Sequence, residues 1–464
     1  MVFRATHRRA RASVAALVVV LTAVDGFASP VRAARPRRPD IILIVTDDQR
    51  HGTIRWLPTA NRYVSAHGVR FSRAMVSTSL CCPSRSSLLT GEYSHTTKVW
   101  SNKEGWRRFV GAGMHWRSVA LWLRRSGYRT GLVGKYLNAY HGKAPPPGWT
   151  AWHAFVGWNA DYYDYGLQHT GGAITRYGAD PGSYSTDVLR RFALGFIRHT
   201  PSRTPFFLYF SPYAPHWPAT PAPRHVGLPA RLARWGPPSF FEEDLGDKPL
   251  WIQQLPRISL GDIQELRAEE YRALRSVDEA IDAILSVQRA RGRLRNTLLI
   301  VVSDNAVMWG EHRVVGKFVP YAGATRIPLA IAWPARIPGG RIDARLALNI
   351  DVPVTIAAAA EAPHPDVVGR SLLGRWRRVG FVLEAGASRV PGGNGTNVER
   401  PAYCGWRTAR FLFVRYANGR EELYDYAKDP WELQDRRGTN RDLQSFLREK
   451  AREACRPVPP GFSW

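Results

Sequence analysis

Pro39-Asp40-Ile41-Ile42-Leu43-Ile44-Val45-Thr46-Asp47-Asp48-Gln49 is the stretch that decides the fold. From Ile41 to Val45 the run is apolar and largely β-branched, without the polar alternation of a half-exposed strand. That is the pattern of a central strand covered on both faces. Open α/β sheets bind ligands just beyond the carboxyl ends of such strands, and Asp47 and Asp48 stand at that end. Neighbouring carboxylates repel unless a cation or proton lies between them, and hard oxygen donors suit calcium or magnesium. Either aspartate alone reads equally as a cap for the next segment. As a pair after this strand they read as metal ligands.

The same device recurs downstream. An apolar run at 128–133 leads into Gly134-Lys135-Tyr136-Leu137-Asn138, one at 205–211 into Pro212-Tyr213-Ala214-Pro215-His216-Trp217, and one at 298–302 into Ser303-Asp304-Asn305. Residues 327–333 read as a further strand, in which Pro328 suits an edge or a strand start. Between these lie helical patterns: 115–125, stopped by Gly127, and a core stripe of Tyr271, Leu274, Val277, Ile281, Ile284 and Leu285. Strands alternating with helices imply an α/β fold, a mostly parallel sheet with helices on both faces. The segment 143–165, rich in Pro, Trp and Tyr, is expected to be a loop, either covering the core or offering a platform to a sugar ring. Residues 218–254 read as a long surface excursion. From about 371 the pattern changes to short strands at 379–383, 402–408, 411–416 and 422–425, with a hairpin turn at Asn418-Gly419 and a terminal helix at 441–454.

Ser79-Leu80-Cys81-Cys82-Pro83-Ser84-Arg85-Ser86-Ser87-Leu88-Leu89-Thr90-Gly91 adds the chemistry. Pro83 and the hydroxyl residues suit a turn feeding a helix that ends near Gly91. A helix start with free N–H groups, beside the permanent cation of Arg85, favours an anionic ligand. Cys81-x-Pro83-Ser84-Arg85 followed by Leu89-Thr90-Gly91 resembles the signature of type I sulfatases. The alternative is a buried thiol pair or a disulfide outside the chemistry, although adjacent cysteines bridge each other only with strain.

The resemblance implies an alkaline-phosphatase-like fold with a smaller C-terminal antiparallel subdomain, and it runs from Pro39 to about Leu433. It also implies that Cys81 is oxidised by a formylglycine-generating enzyme to formylglycine, an aldehyde whose hydrate attacks sulfur. Asp47, Asp48, Cys81, Asp304 and Asn305 become the metal ligands, with calcium as the family's metal and magnesium the alternative. Cys81, Arg85, Lys135, His216 and Lys317 become the catalytic set. Lys135, His216, His312 and Lys317 become the substrate-binding set. Two departures stand out. Ala306 replaces the glycine that usually follows Ser-Asp-Asn, a concern if that position needs φ > 0. Leu137 replaces a histidine found in many sulfatases, which leaves open the base of the elimination step. Gly-Lys-Tyr-Leu-Asn is similar to the N-acetylglucosamine-6-sulfatase branch, so a sulfated sugar or an aryl sulfate is the expected substrate. The rival readings are a phosphate or phosphonate ester hydrolase on the same fold, and a non-catalytic polyanion-binding protein with an unmodified Cys81.

The 464 residues carry 44% hydrophobic and 22% charged residues, ordinary for a globular chain, but a formal net charge of +27. Such a charge attracts polyanions, unless it reflects a generally arginine-rich surface. No nucleic-acid-binding pattern accompanies it. Arg4, Arg8, Arg9 and Arg11 precede an apolar run at 13–24, and Val31-Arg32-Ala33 offers a cleavage site. Residues 1–33 therefore read as an export signal, 34–370 as the catalytic domain and 371–464 as the C-terminal subdomain of a secreted protein. The apolar run is short for a bilayer span, and no later stretch reads as a membrane helix. In an exported chain Cys404 and Cys455 are expected to pair, closing a loop worth about 4 kcal/mol in the chain-entropy model. Two unrelated buried thiols are the alternative. The sequence does not specify oligomeric state.

Overall fold

A computed structural model describes residues 1–2, 37–142, 144–391 and 397–464. The expected export signal, with its cleavage after Ala33, falls almost wholly on 3–36 and lies outside the described residues. The strands are β1 (Asp40–Thr46), β2 (Gly68–Met75), β3 (Arg129–Gly134), β4 (Ala151–Val156), β5 (Tyr165–His169), β6 (Ile174–Tyr177), β7 (Phe206–Ser211), β8 (Thr297–Ser303), β9 (Met308–Trp309), β10 (Val315–Gly316), β11 (Leu329–Ala332) and β12 (Arg341–Leu348). Ten of them form one sheet in the order β12-β2-β11-β8-β1-β7-β3-β4-β5-β6. Only β11 and β5 run against the rest.

The apolar run of β1 is covered on both faces, as its composition requires. Ile41, Leu43 and Val45 point into one core with Leu88, Leu89, Trp122 and Ile356. Ile42 and Ile44 point into the other with Val188, Leu189, Val277 and Ile281. The helices Cys81–Thr90, Val119–Arg125 and Asp351–Ala360 line the first face. Pro58–His67, Ser185–Arg198 and Leu260–Ala290 line the second. β1 lies between β7 and β8, in register with both, so the three carboxyl ends at Thr46, Ser211 and Ser303 form one edge. The site is built there.

A smaller antiparallel sheet follows, from β13 (Gly380–Ala385), β16 (Tyr403–Thr408), β17 (Phe411–Tyr416) and β18 (Glu421–Asp425), with β14 (Ser388–Pro391) and β15 (Asn397–Arg400) as a side ribbon. Arg441–Ala454 covers one face through Leu447 and Ala451. The other face shares a core with Tyr321, Val319 and Leu348 of the large-sheet region, and Arg38–Trp464 form one compact unit. Cys404 and Cys455 are joined by a disulfide. Among the described residues no helix is long and apolar enough to cross a membrane.

Three local expectations change. Residues 115–125 divide into a short 3-10 turn, Met114–Arg117, and the helix Val119–Arg125. Pro328 marks a strand start: β11 begins at the next residue and is interior, paired on both sides. The 143–165 segment contains β4, with Trp152 and Tyr162 buried in the core. Of its tryptophans only Trp158 stays largely exposed.

Candidate active site

The Cys81–Thr90 helix ends at Gly91, whose φ of 77° is the left-handed conformation glycine supplies without strain. All ten of its residues are buried, so its first turn is pressed against the strand ends. Cys81 is the first helical residue, and Pro83 sits inside the first turn, where its missing N–H costs nothing. The neighbouring backbone of Cys82 is tied down by Asn102, whose Oδ1 accepts its N–H at 2.9 Å.

Around this helix start the expected groups meet. Lys317 Nζ lies 2.8 Å from Cys81 Sγ and 2.6 Å from both oxygens of Asp48. Cys81 Sγ is 3.6 Å from Asp47 Oδ1. Lys135 Nζ donates to Asp47 Oδ2. Arg85, fully buried, donates from Nε to Asp304 Oδ2 (2.7 Å) and from Nη1 to Ser211 Oγ (2.7 Å) and the Lys135 carbonyl (2.9 Å). Its Nη2 faces Asp47 at 3.5 Å and has no hydrogen-bond partner among the described residues. His216 Nε2 is 3.4 Å from Asp48 Oδ2, with Nδ1 2.6 Å from the Trp217 carbonyl and the ring stacked on Tyr213. That carbonyl can only accept, so Nδ1 carries a proton.

The electrostatics are those of a desolvated, balanced cluster. Burial opposes ionisation of Asp47, but Lys135 and Arg85 outweigh it and hold the carboxyl at about 2. Burial likewise opposes the charge on Asp48, and Lys317 and His216 pull its pKa down. Burial pushes the Cys81 thiol up to about 12 despite the two lysines, so the unmodified thiol is a poor nucleophile at neutral pH. Burial lowers the affinity of His216 for a second proton, against the pull of Asp48.

The donor set fits a divalent cation. One ligand atom each from Asp47, Asp48, Cys81 and His216 lies within 4.8 Å of the others. Asn305 donates from Nδ2 to Asp48 Oδ1 at 2.7 Å, and its buried Oδ1 has no partner among the described residues. An orphaned buried carbonyl oxygen beside two carboxylates is a ligand in search of a cation. Asp304 is more committed: its Oδ1 already accepts the N–H groups of Asp48 and Asn305.

His312 stands apart from this group. Its Nδ1 is 2.5 Å from Glu242 Oε2, Nε2 faces Glu432 at 3.9 Å, and the ring packs on Tyr321. Ala306 does not adopt a positive φ, and its N–H donates to the Ala324 carbonyl, so the missing glycine imposes no strain. Sequence reasoning passed over Ser211, which holds the Arg85 fork; its place at the end of a buried strand was the available signal. It also passed over the φ of 66° at Asp48, for which the sequence carries no signal.

The sulfatase family model matches residues 39–362. An extracellular sulfatase SULF-1 homolog of Drosophila melanogaster is 32% identical over 75% of this chain, which spans 32% of that protein. Human N-acetylglucosamine-6-sulfatase is 29% identical over 74% of this chain, which spans 65% of it. A protein solved with its substrate D-glucosamine-2-N,6-O-disulfate superposes with a TM-score of 0.74 at 21% identity, covering 90% of this chain and 97% of its own. The chain belongs to the sulfatase family.

Proposed function

We propose that this chain is an exported, calcium-dependent sulfatase that hydrolyses the sulfate ester of a sulfated sugar, with Cys81 converted to formylglycine. The observation that carries the reading is the convergence of Asp47, Asp48, Asp304, Cys81, Arg85, Lys135 and Lys317 at one edge of the sheet. Three carboxylates there face three permanent cations, so a bound divalent ion leaves the cluster with an excess of two positive charges. That excess suits an ester's anionic head. Position 81 decides the metal class. A thiol and an imidazole favour a softer ion such as zinc, whereas an oxygen at 81 completes a hard set suited to calcium or magnesium.

A hydrated aldehyde at 81 supplies one hydroxyl to attack sulfur and a second whose proton loss releases sulfate. The surrounding residues do the rest. Lys317, already 2.8 Å from the side chain at 81, and Lys135 hold sulfate oxygens. Arg85 holds Asp304 and Asp47 in place and keeps Asp47 ionised. The proton for the departing alcohol comes from Lys317 or from His216, which is 17% exposed and acts as an acid only when Nε2 takes a second proton. His312 acts on this site through the loop it anchors. Residues 34–370 form the catalytic part and 371–464 the accessory part in this reading. Location outside the cell is supported by the leader pattern and the extracellular relative.

The test combines peptide mass spectrometry at position 81, on protein made with a formylglycine-generating enzyme, with turnover of aryl sulfate, phosphate and phosphonate esters and of glucosamine 6-sulfate. Conversion at 81 with preference for the sulfate esters is expected. Full sulfatase turnover with an intact thiol overturns the nucleophile, and preference for phosphonate overturns the substrate class. Removal of the metal by a chelator should abolish turnover, with calcium restoring it.

A further inference from the structure

A cavity of about 20 Å³ lies where the side ribbon of the small sheet meets the segments that carry the reactive groups. One wall is made by Ser79, Leu80 and Phe318. Leu80 immediately precedes Cys81, and Phe318 immediately follows Lys317. These segments are clipped together: Phe318 N–H donates to the Ser79 carbonyl at 3.0 Å, and Ser79 Oγ donates to the Val319 carbonyl at 2.7 Å. The opposite wall includes Arg400, the last residue of β15. Ser101 and Ala387 at the rim are exposed, so solvent reaches the cavity from one side.

Arg400 sets the chemistry of this cavity. It is 1% exposed. Its Nη1 donates to the Pro401 carbonyl and its Nη2 to the Gly386 carbonyl at 2.6 Å. Nε is buried and has no hydrogen-bond partner among the described residues. A guanidinium is a fork of five N–H donors, and two backbone carbonyls leave that fork with donors to spare. The Tyr403 ring lies 4.8 Å from the guanidinium carbon. Burial pulls the proton affinity of Arg400 below the ordinary value, and the groups that oppose it are the phenols of Tyr403 and Tyr416 rather than a carboxylate. Other buried arginines are balanced. Arg85 faces Asp304 and Asp47, and Arg378 is gripped by both oxygens of Asp351. Glu384, whose strand β13 leads into the cavity wall, is spent on His95, accepting its backbone N–H at 3.0 Å and its ring Nδ1 at 2.9 Å. A buried charge without a counter-charge is far costlier than a buried neutral dipole. Two carbonyls and a ring face reduce that cost without neutralising it.

We propose that this cavity binds one halide ion, chloride, as the counter-ion of Arg400. Its volume of about 20 Å³ admits a single water-sized particle. A monatomic anion therefore fits where a sugar or a sulfate group does not. The ion takes the spare donors of Arg400 and ties the ribbon of the small sheet to the chain leading into residue 81 and to the chain leaving Lys317. The site shares no residue with the catalytic cluster, and it stands whichever ester the protein cleaves.

The experiment measures thermal unfolding of wild type and Arg400→Met in sodium chloride, sodium bromide and sodium gluconate at equal ionic strength. Chloride and bromide should raise the wild-type Tm above its value in gluconate, by about 3 °C at a halide concentration of about a hundred times the fitted Kd. The difference should vanish in Arg400→Met, which keeps the bulk of the side chain and removes the charge. A wild-type Tm indifferent to halide overturns the site. An equal halide effect in both proteins is a general salt effect and overturns it as well. A second measurement needs no variant and decides the matter should Arg400→Met fail to fold. Crystals of the wild-type protein soaked in sodium bromide should show an anomalous peak beside Arg400 Nε, because bromide scatters anomalously where a water molecule does not. Bromide bound elsewhere, with no peak at Arg400, overturns the assignment.

Discussion

Raising the pH from 6.5 to 9 should cost this protein about 3 kcal/mol of stability through one residue, His312. The imidazole is buried between Glu242 and Glu432. Burial alone would lower its pKa, but the hydrogen bond to Glu242 and then Glu432 raise it to about 9. Because the folded value exceeds the ordinary 6.5, the stabilisation is complete below pH 6.5 and disappears as the pH rises through 9. Between those limits the native state holds a proton that the unfolded chain has released, so stability falls by about 1.4 kcal/mol per pH unit. Over 2.5 units that is about 3 kcal/mol, or about 4 °C in Tm for a domain of this size. The consequence reaches the active site. His312, Arg313 and Phe318 all have positive φ, at 51°, 61° and 78°, and this strained segment presents Lys317. Strain of that kind persists only while its surroundings hold it. Thermal unfolding of wild type and His312→Gln at half-unit pH steps is the assay, with aryl sulfate turnover alongside. Wild type should lose stability across the window and the variant should not. Parallel Tm curves for the two proteins between pH 6.5 and 9 would refute the buried-imidazolium argument.

Asp304→Ala should abolish both turnover and divalent-ion binding, because Asp304 orders Asp48, Asn305 and Arg85 together; calorimetry with calcium and an aryl sulfate assay check it. Arg85→Leu should lower stability by about 3–5 kcal/mol in denaturant titration, since it leaves Asp304 and Asp47 buried without their guanidinium. In chelated protein Asp47 should contribute stability that is complete above pH 3.8 and lost as the pH falls through about 2, because its folded pKa lies below the unfolded value. Asp47→Asn should flatten that acid limb. Replacing Cys404 and Cys455 by serine should cost about 4 kcal/mol for the 51-residue separation, read as a lower midpoint in denaturant.

What could be read from the sequence was whatever a buried strand announces by itself. β1, β7 and β8 are covered on both faces, so their apolar runs stand out, and the polar residues just past them mark the site: Asp47, Asp48, Asp304, Asn305 and His216. β2 escaped notice. Its Gly68-Val-Arg-Phe-Ser-Arg-Ala-Met75 mixes two arginines into the run, although Val69 and Phe71 are core residues. The clue there is Gly68, where a Cβ would meet the Ile331 carbonyl oxygen at 2.1 Å; only a pairing partner far along the chain gives that glycine its meaning. β4 was hidden among prolines and aromatics that read as loop.

His312 marks the same boundary from the other side. The motif around it suggested contact with substrate, but the residue that claims its ring is Glu242, from the long irregular excursion of 218–254, whose path no periodicity encodes. Asp48 is the sharper case. Its charge made it a ligand on sight, yet its role depends equally on a backbone φ of 66°. That turn lets its N–H reach Asp304 Oδ1 at 3.1 Å while its carboxylate meets Lys317. A non-glycine residue held there costs about 1–3 kcal/mol, and the cost is borne only because Asp304 and Lys317 over-determine the position. Residue types at strand ends therefore reveal which groups gather, whereas the conformation that orders them is set by partners more than 250 positions away.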